Sequence, residues 1–355
     1  MRLTVLNVAF PFAPIETDAV GGAEQVLAQL DRALVAAGHR SLVVACAGSR
    51  VAGRLVAVPR VHGAIDEQAR ARVQRAVRAA IARTLAATPV DLVHCHGTDY
   101  DAYLPPTPPP ALVSLHLPLD WYAPAALRPR PGVHLQPVSA RQARAAPHDV
   151  ALLPPIENGV DLDAFAPRVG KHGFALVLGR VCAEKGFHDA IDAAKRADVP
   201  LLAAGRVFEW PAHRRYFDAE VAPRLDARRR WIGALAGARK RRLLAAARCV
   251  LVPSRAAETS SLVAMEALAA GTAVVAYRAA GALADLVEHG VTGYLVDDVA
   301  SMAAAIRNAD RIDPAACRAA AAARFDARRT TAAYLALYRR LVDDARADVQ
   351  RRAAS

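Results

Sequence analysis

The sequence predicts an α/β protein made of two doubly wound, Rossmann-like domains facing a cleft, with a helical C-terminal segment. Three observations carry that expectation. Short apolar runs alternate with amphipathic helical patterns in the first half of the 355 residues and again in the second. The turn-rich run I-E-N-G-V-D-L-D-A-F, Ile156 to Phe165, with Pro167 and Gly170-Lys171-His172-Gly173 after it, breaks the alternation once. Beyond Gly293-Tyr294-Leu295-Val296 the chain turns to Ala-rich helical segments, starting near Val299, Asp313 and Ala327. The expected boundaries are 1–165 for the first domain, 166–326 for the second, and 327–355 for a terminal helical segment packing back on the first.

Leu3 to Phe10 reads as a buried strand, and Gly21-Gly22-Ala23-Glu24 opens a helix that runs to Ala37 and stops at Gly38. A strand, a glycine turn and a helix suit phosphate, with Gly22 letting a ligand oxygen approach the backbone. Ser41–Ala47 and Arg54–Val58 follow as strands. A helix over 66–85 has Val73, Val77, Ile81 and Leu85 on one stripe, with Arg70, Arg72, Arg75, Arg78 and Arg83 largely off it. Such a basic amphipathic helix is either a solvated face over a core stripe or a surface for anionic lipid. Asp91–His96 and Ala111–Leu115 are strands, the latter with His116 at its carboxyl end, where an α/β active-site residue stands. His94 and His96 project to one side of their strand as metal ligands do, yet no third ligand is near, and no metal is expected. His134–Ser139 and Ala151–Pro155 complete the strands of this half.

The second half gives strand Phe174–Gly179, helix Lys185–Ala197, strand Pro200–Ala204, a basic helical region, a strand near Trp231, and a helix over 239–248. Strand Cys249–Pro253 then leads into S-R-A-A-E-T-S-S-L-V-A-M-E-A-L-A-A-G, and Ala273–Tyr277 is the next strand. Glu258 sits in the loop and Glu266 on the helix of this βαβ step. At the carboxyl end of a parallel sheet a carboxylate repels phosphate but accepts hydrogen bonds from sugar hydroxyls. The N–H groups of Ser260, Ser261 and Leu262 at the helix start suit the phosphate itself.

The formal net charge of +12 suits an acidic ligand, an anionic membrane face or nucleic acid without choosing among them. No aromatic-interleaved basic motif accompanies it, which argues against nucleic acid. Five scattered cysteines without a C-x-x-C pair are expected to be reduced and structural. No long apolar run and no leader-like start are visible, so a cytoplasmic protein is expected, with peripheral contact to the inner face of the cell membrane as a further partner.

The ordered set of these pieces resembles the family 4 retaining glycosyltransferases of GT-B fold over nearly the whole chain. It comprises Gly21-Gly22-Ala23-Glu24, the V-H-C-H strand end, S-L-H at His116, V-S at Ser139, E-N-G-V-D, G-R-V-C-A-E-K-G from Gly179 to Gly186, and the Glu-x7-Glu pair. The resemblance implies a nucleotide-diphosphate sugar as donor substrate, no cofactor and no metal. Arg180 and Lys185 would hold the diphosphate, Glu258 the donor sugar, Glu266 the ribose, and residues 260–262 the phosphates or sugar. His116 would reach the sugar across the cleft, and Gly22 would close on the phosphate. The implied reaction keeps the donor's anomeric configuration and moves the sugar to an acceptor hydroxyl in glycan, glycolipid or small-molecule glycoside synthesis. Two stretches differ from the family pattern. Thr259-Ser260-Ser261 stands where an aromatic and a glycine are frequent, and Gly281-Ala282-Leu283-Ala284-Asp285 replaces G-G-x-P-E.

A nucleotide-sugar epimerase of the same fold is the nearest alternative, and turnover without an acceptor would mark it. A glycoside hydrolase using both glutamates, and a non-catalytic nucleotide- or membrane-binding relative, are the others. Glu266→Gln and Lys185→Ala are each expected to lower turnover and leave the thermal midpoint nearly unchanged.

Overall fold

The computed structural model describes residues 2–16, 19, 21–106, 109–165 and 169–354. The chain divides into two compact units, one of residues 1–157 with 329–355 and one of residues 158–328. Ala166 to Arg168, beside the expected boundary at 165/166, lie outside the described residues.

The first unit runs β1 (Thr4–Val8), α1 (Gly22–Ala36), β2 (Arg40–Cys46), β3 (Arg54–Val58), α2 (Glu67–Ala87), β4 (Leu92–Cys95), β5 (Ala111–Leu115), β6 (Val133–Pro137) and α3 (Ala140–Arg144). Its six strands are parallel in the order β3-β2-β1-β4-β5-β6. Helices on both faces explain why β4 and β5 are buried at every residue and carry only one polar residue each, His94 and Ser114. On α2, Asp66 caps the N-terminus by accepting from the Ala69 N–H at 2.7 Å; Val73, Val77 and Ile81 are buried, and the five arginines are exposed. The expected strand over 151–155 does not form. Only Leu152 bridges to Leu135, because Pro154 and Pro155 have no N–H to give a ladder.

The second unit runs β7 (Ala175–Arg180), α4 (Phe187–Ala197), β8 (Leu201–Arg206), α5 (Pro211–Tyr216), β9 (Arg229–Trp231), α6 (Gly237–Ala246), β10 (Cys249–Val252), α7 (Leu262–Ala269), β11 (Ala273–Tyr277), α8 (Leu283–Leu286), β12 (Gly293–Val296), α9 (Val299–Asn308) and α10 (Pro314–Arg324). Its order is β12-β11-β10-β7-β8-β9, again all parallel. Gly293–Val296, expected only as the end of the strand pattern, is thus a strand of its own at the sheet edge. Both sheets reverse direction once, between β1 and β4 and between β7 and β10, and those reversals are where α/β sheets bind ligands.

The last helix, α11 (Ala327–Ala354), lies with the first unit from Arg329 onward. Its Tyr334 and Tyr338 are fully buried and serve polar groups on the sheet. Tyr338 Oη meets His94 Nδ1 at 2.7 Å, and Tyr334 Oη donates to Gln136 Oε1 at 2.6 Å. Ser114 Oγ lies 2.9 Å from His94 Nε2, 2.8 Å from Tyr334 Oη and 3.1 Å from Gln136 Oε1. A buried polar network of this kind is tolerable only while each member keeps a partner. Tyr338→Phe, which strands His94 Nδ1, is expected to lower the unfolding free energy by about 1–3 kcal/mol in urea titrations.

Candidate active site

In the second unit the loops after β7 and β10 flank the reversal, and the sequence locks them together. Gly186 has φ of 63°, and a Cβ there would lie 2.1 Å from the Pro253 carbonyl oxygen. Only glycine fits both the conformation and the space. Beside it, the Arg255 N–H donates to the Glu184 carbonyl at 2.8 Å. The Arg255 guanidinium takes Asp189 in a two-pronged bond at 2.8 and 3.0 Å.

This lock brings Lys185, on the first loop, onto Glu258, on the second. Lys185 Nζ and Ser254 Oγ both donate to Glu258 Oε1, and the two charged side chains are 26% and 10% exposed. Among the described residues no group bonds Glu258 Oε2, which leaves that oxygen to accept from a ligand hydroxyl. The Glu258 backbone is held from a third side. The Ala282 N–H donates to its carbonyl at 2.8 Å, and a Cβ on Gly281, at φ 59°, would come within 2.5 Å of that carbonyl. The segment that departs from G-G-x-P-E therefore keeps the one glycine that Glu258 requires.

The Ser260-Ser261-Leu262 run opens α7. Ser261 Oγ caps the helix by accepting from the Ala264 N–H at 3.3 Å. Ser260 Oγ is buried with no hydrogen-bond partner, an unmet bond of the sort a ligand repairs. Glu266, four residues into α7, is 3% exposed and bonds Lys240 Nζ at 2.7 Å, with Lys240 only 6% exposed. Lys240 comes from the first turn of α6, and its ammonium also lies 5.9 Å over the Phe165 ring. The only cue to this partner in the sequence is a lysine set in the first turn of a helix, against the dipole. Arg180 ends β7 and is half-buried.

Gly22 and His116 belong to the first unit. Gly22 is the first residue of α1, and a Cβ on Gly21 would come within 1.8 Å of Glu24 Oε2. The Glu24 carboxylate thus already lies against this helix N-terminus, where it complements the dipole. His116 follows β5, and its Nε2 is 3.0 Å from His96 Nδ1, the two rings stacked at 5.2 Å between centroids. His96 Nε2 is buried without a partner. A buried lone pair without a donor is more often tolerated than a buried N–H without an acceptor, so His96 Nδ1–H donates and His116 Nε2 accepts. Among the described residues no cluster of three or more His, Cys, Asp or Glu that could hold a metal ion occurs. All five cysteines are buried and unpaired.

Burial holds His94 and His96 well below the ordinary imidazole range, reinforced by neighbouring histidines, and lowers His116 to about 4. The unfolded chain takes up these protons near pH 6.5 while the folded chain refuses them, so stability is lost as pH falls from about 6.5 toward 4. The urea midpoint is expected to drop between about pH 7 and about pH 5, and to drop less steeply in His116→Asn. The buried pair changes one expectation. Glu266→Gln leaves the Lys240 ammonium without its carboxylate, so it must lower stability as well as turnover. Glu266→Leu is expected to cost about 3–5 kcal/mol, and pairing it with Lys240→Met to recover most of that in denaturant titrations.

A family model described as "Glycosyltransferase Family 4" matches residues 20–164, and one described as "Glycosyl transferases group 1" matches residues 174–309. No curated protein matches the chain in sequence. Among solved structures, AviGT4, a glycosyltransferase involved in avilamycin A biosynthesis, is 26% identical with a TM-score of 0.70, over 96% of this chain and 98% of its own. Sucrose-phosphate synthase from Thermosynechococcus elongatus is 20% identical with a TM-score of 0.80, over 96% and 100%. HepE from Anabaena, in complex with UDP and glucose, is 19% identical with a TM-score of 0.70, over 94% and 99%.

Proposed function

The chain belongs to the family 4 glycosyltransferases, with the GT-B fold, and from that membership we propose that it transfers a sugar from a nucleotide-diphosphate donor to an acceptor hydroxyl with retention of anomeric configuration. The convergence of Lys185 and Glu258 at the reversal of the second sheet carries the reading. Breaking the glycosidic bond leaves negative charge on the departing diphosphate, and a fixed cation there lowers the barrier more than it stabilises the bound donor. Arg180 and Lys185 supply that charge. Glu258, anchored through Oε1, offers Oε2 to the sugar hydroxyls, and the amides at the start of α7 face the phosphates.

Glu266 is the ribose ligand in this proposal, kept in place by Lys240. His116, neutral at ordinary pH, contacts the donor sugar, and Gly22 admits the phosphate close to the backbone. No protein nucleophile is required if the acceptor hydroxyl attacks from the face the diphosphate leaves. The protein's share is then positioning and leaving-group stabilisation. No described helix is long and apolar enough to cross a membrane. The exposed arginine face of α2 is the surface on which a cytoplasmic enzyme would meet anionic lipid carrying an acceptor.

A thermal-shift panel of UDP, GDP and ADP with their sugars is expected to show stabilisation by one nucleotide series, with UDP tried first because a protein of the same fold was solved with it. Absence of any shift would sink the donor assignment. With the donor found, Lys185→Ala should lower kcat/KM by roughly 100-fold or more. Proton NMR of the product should show the donor's anomeric configuration; an inverted centre would refute retention.

A further inference from the structure

Arg180 and Arg206 end the adjacent parallel strands β7 and β8 and are register partners, Cα opposite Cα. Residues so paired in neighbouring parallel strands direct their side chains to one side of the sheet, about 5 Å apart at the backbone. Both are half-buried, and among the described residues neither makes an ion pair with a carboxylate. That distinguishes them from three other arginines of the unit. Arg224, Arg229 and Arg248, each buried or half-buried, bond Asp192, Asp226 and Asp310 at 3.1, 3.3 and 3.0 Å.

The surroundings fix Arg206 without neutralising it. Its guanidinium lies 5.2 Å over the Phe208 ring, and that ring meets His213 edge-on at 6.3 Å. Glu184 and His213 are near enough to Arg180 for its charge to act on both, yet Glu184 makes no ion pair with it. His213 Nδ1 is buried without a hydrogen-bond partner. Two like charges held side by side at a half-buried sheet edge repel each other, and a bound anion carrying two charges reverses the sign of that interaction.

We propose that Arg206 and Arg180 together form a paired-guanidinium seat for a diphosphate, Arg206 being a ligand-contacting residue that neither the Glu-x7-Glu pair nor the G-R-V-C-A-E-K-G motif includes. The assignment rests on the nucleotide-sugar reading of this site. It adds a third cation to Arg180 and Lys185, on the β8 side of β7, away from Glu258. The seat reads the phosphates alone and is indifferent to the base.

Isothermal titration of inorganic pyrophosphate into the full chain, its Arg206→Ala, Arg206→Gln and Arg180→Ala variants and the Arg180→Ala/Arg206→Ala double variant tests it. Each single variant is expected to bind pyrophosphate about tenfold or more weakly. The double variant should lose less than the product of the two, because both side chains hold one anion. UDP should weaken in parallel. Wild-type affinity in Arg206→Ala beside a loss in Arg180→Ala would overturn the role of Arg206 and leave the donor reading standing. Wild-type affinity in Arg206→Gln beside a loss in Arg206→Ala would reduce Arg206 to packing on Phe208, which also overturns it. Failure of the wild-type protein to bind pyrophosphate, UDP, GDP or ADP would overturn both readings.

Discussion

The carboxyl edge of the second sheet depends on one close approach, the α-carbon of Gly186 lying against the Pro253 carbonyl. Any side chain at residue 186 would collide with that carbonyl at 2.1 Å, and the φ of 63° would strain it further. Because the backbones touch there, Lys185 is carried onto Glu258, and the Arg255 N–H reaches the Glu184 carbonyl. The ion pair is a result of backbone geometry. Flexible side chains finding each other across a gap would make a weaker and less exact site.

Charge is arranged in layers around this contact. Lys240 and Glu266 are nearly dry and compensate each other, so they set shape and orientation while adding no net field. Lys185 and Glu258 are partly wet, and Lys185 remains able to turn toward a stronger anion. Among the described residues Arg180 and Arg206 have no carboxylate ion pair. The electrostatic potential therefore grows more positive from Glu258 across β7 to β8, along the line on which a charged leaving group would lie.

Much of this was legible in the residues. Parallel strands are short apolar runs, so Arg54–Val58 and Ala111–Leu115 were bounded to the residue, and the interrupting glycines marked the helix ends. Glu258, Glu266, Arg180 and Lys185 were visible as residue types at fixed spacing. What pairs with them was not, because partners come from elements distant in sequence. Lys240 sits among Arg239, Arg241 and Arg242, and no feature of the sequence separates it from them. Arg206 fell beyond the expected end of its strand at Ala204 and was absorbed into a basic helical region. Gly281, in the segment that replaces G-G-x-P-E, carries no mark in the sequence of its contact with Glu258. The expected strand over 151–155 failed for a local reason, two prolines in succession.

The return of the chain to the first unit at Arg329 gives the protein the topology of an insertion. The second unit closes on itself where it begins and ends, the Val160 N–H donating to the Phe325 carbonyl at 2.8 Å and the Ala327 N–H to the Val160 carbonyl at 3.0 Å. It is one uninterrupted stretch of polypeptide with its ends stitched together, the form in which modules are moved between proteins. The first unit has no such independence. Its last helix supplies Tyr338 to His94 and Tyr334 to Gln136, bonds that join residues 244 and 198 positions apart in the chain. The first unit is thus a discontinuous domain, closed by the two ends of the chain together.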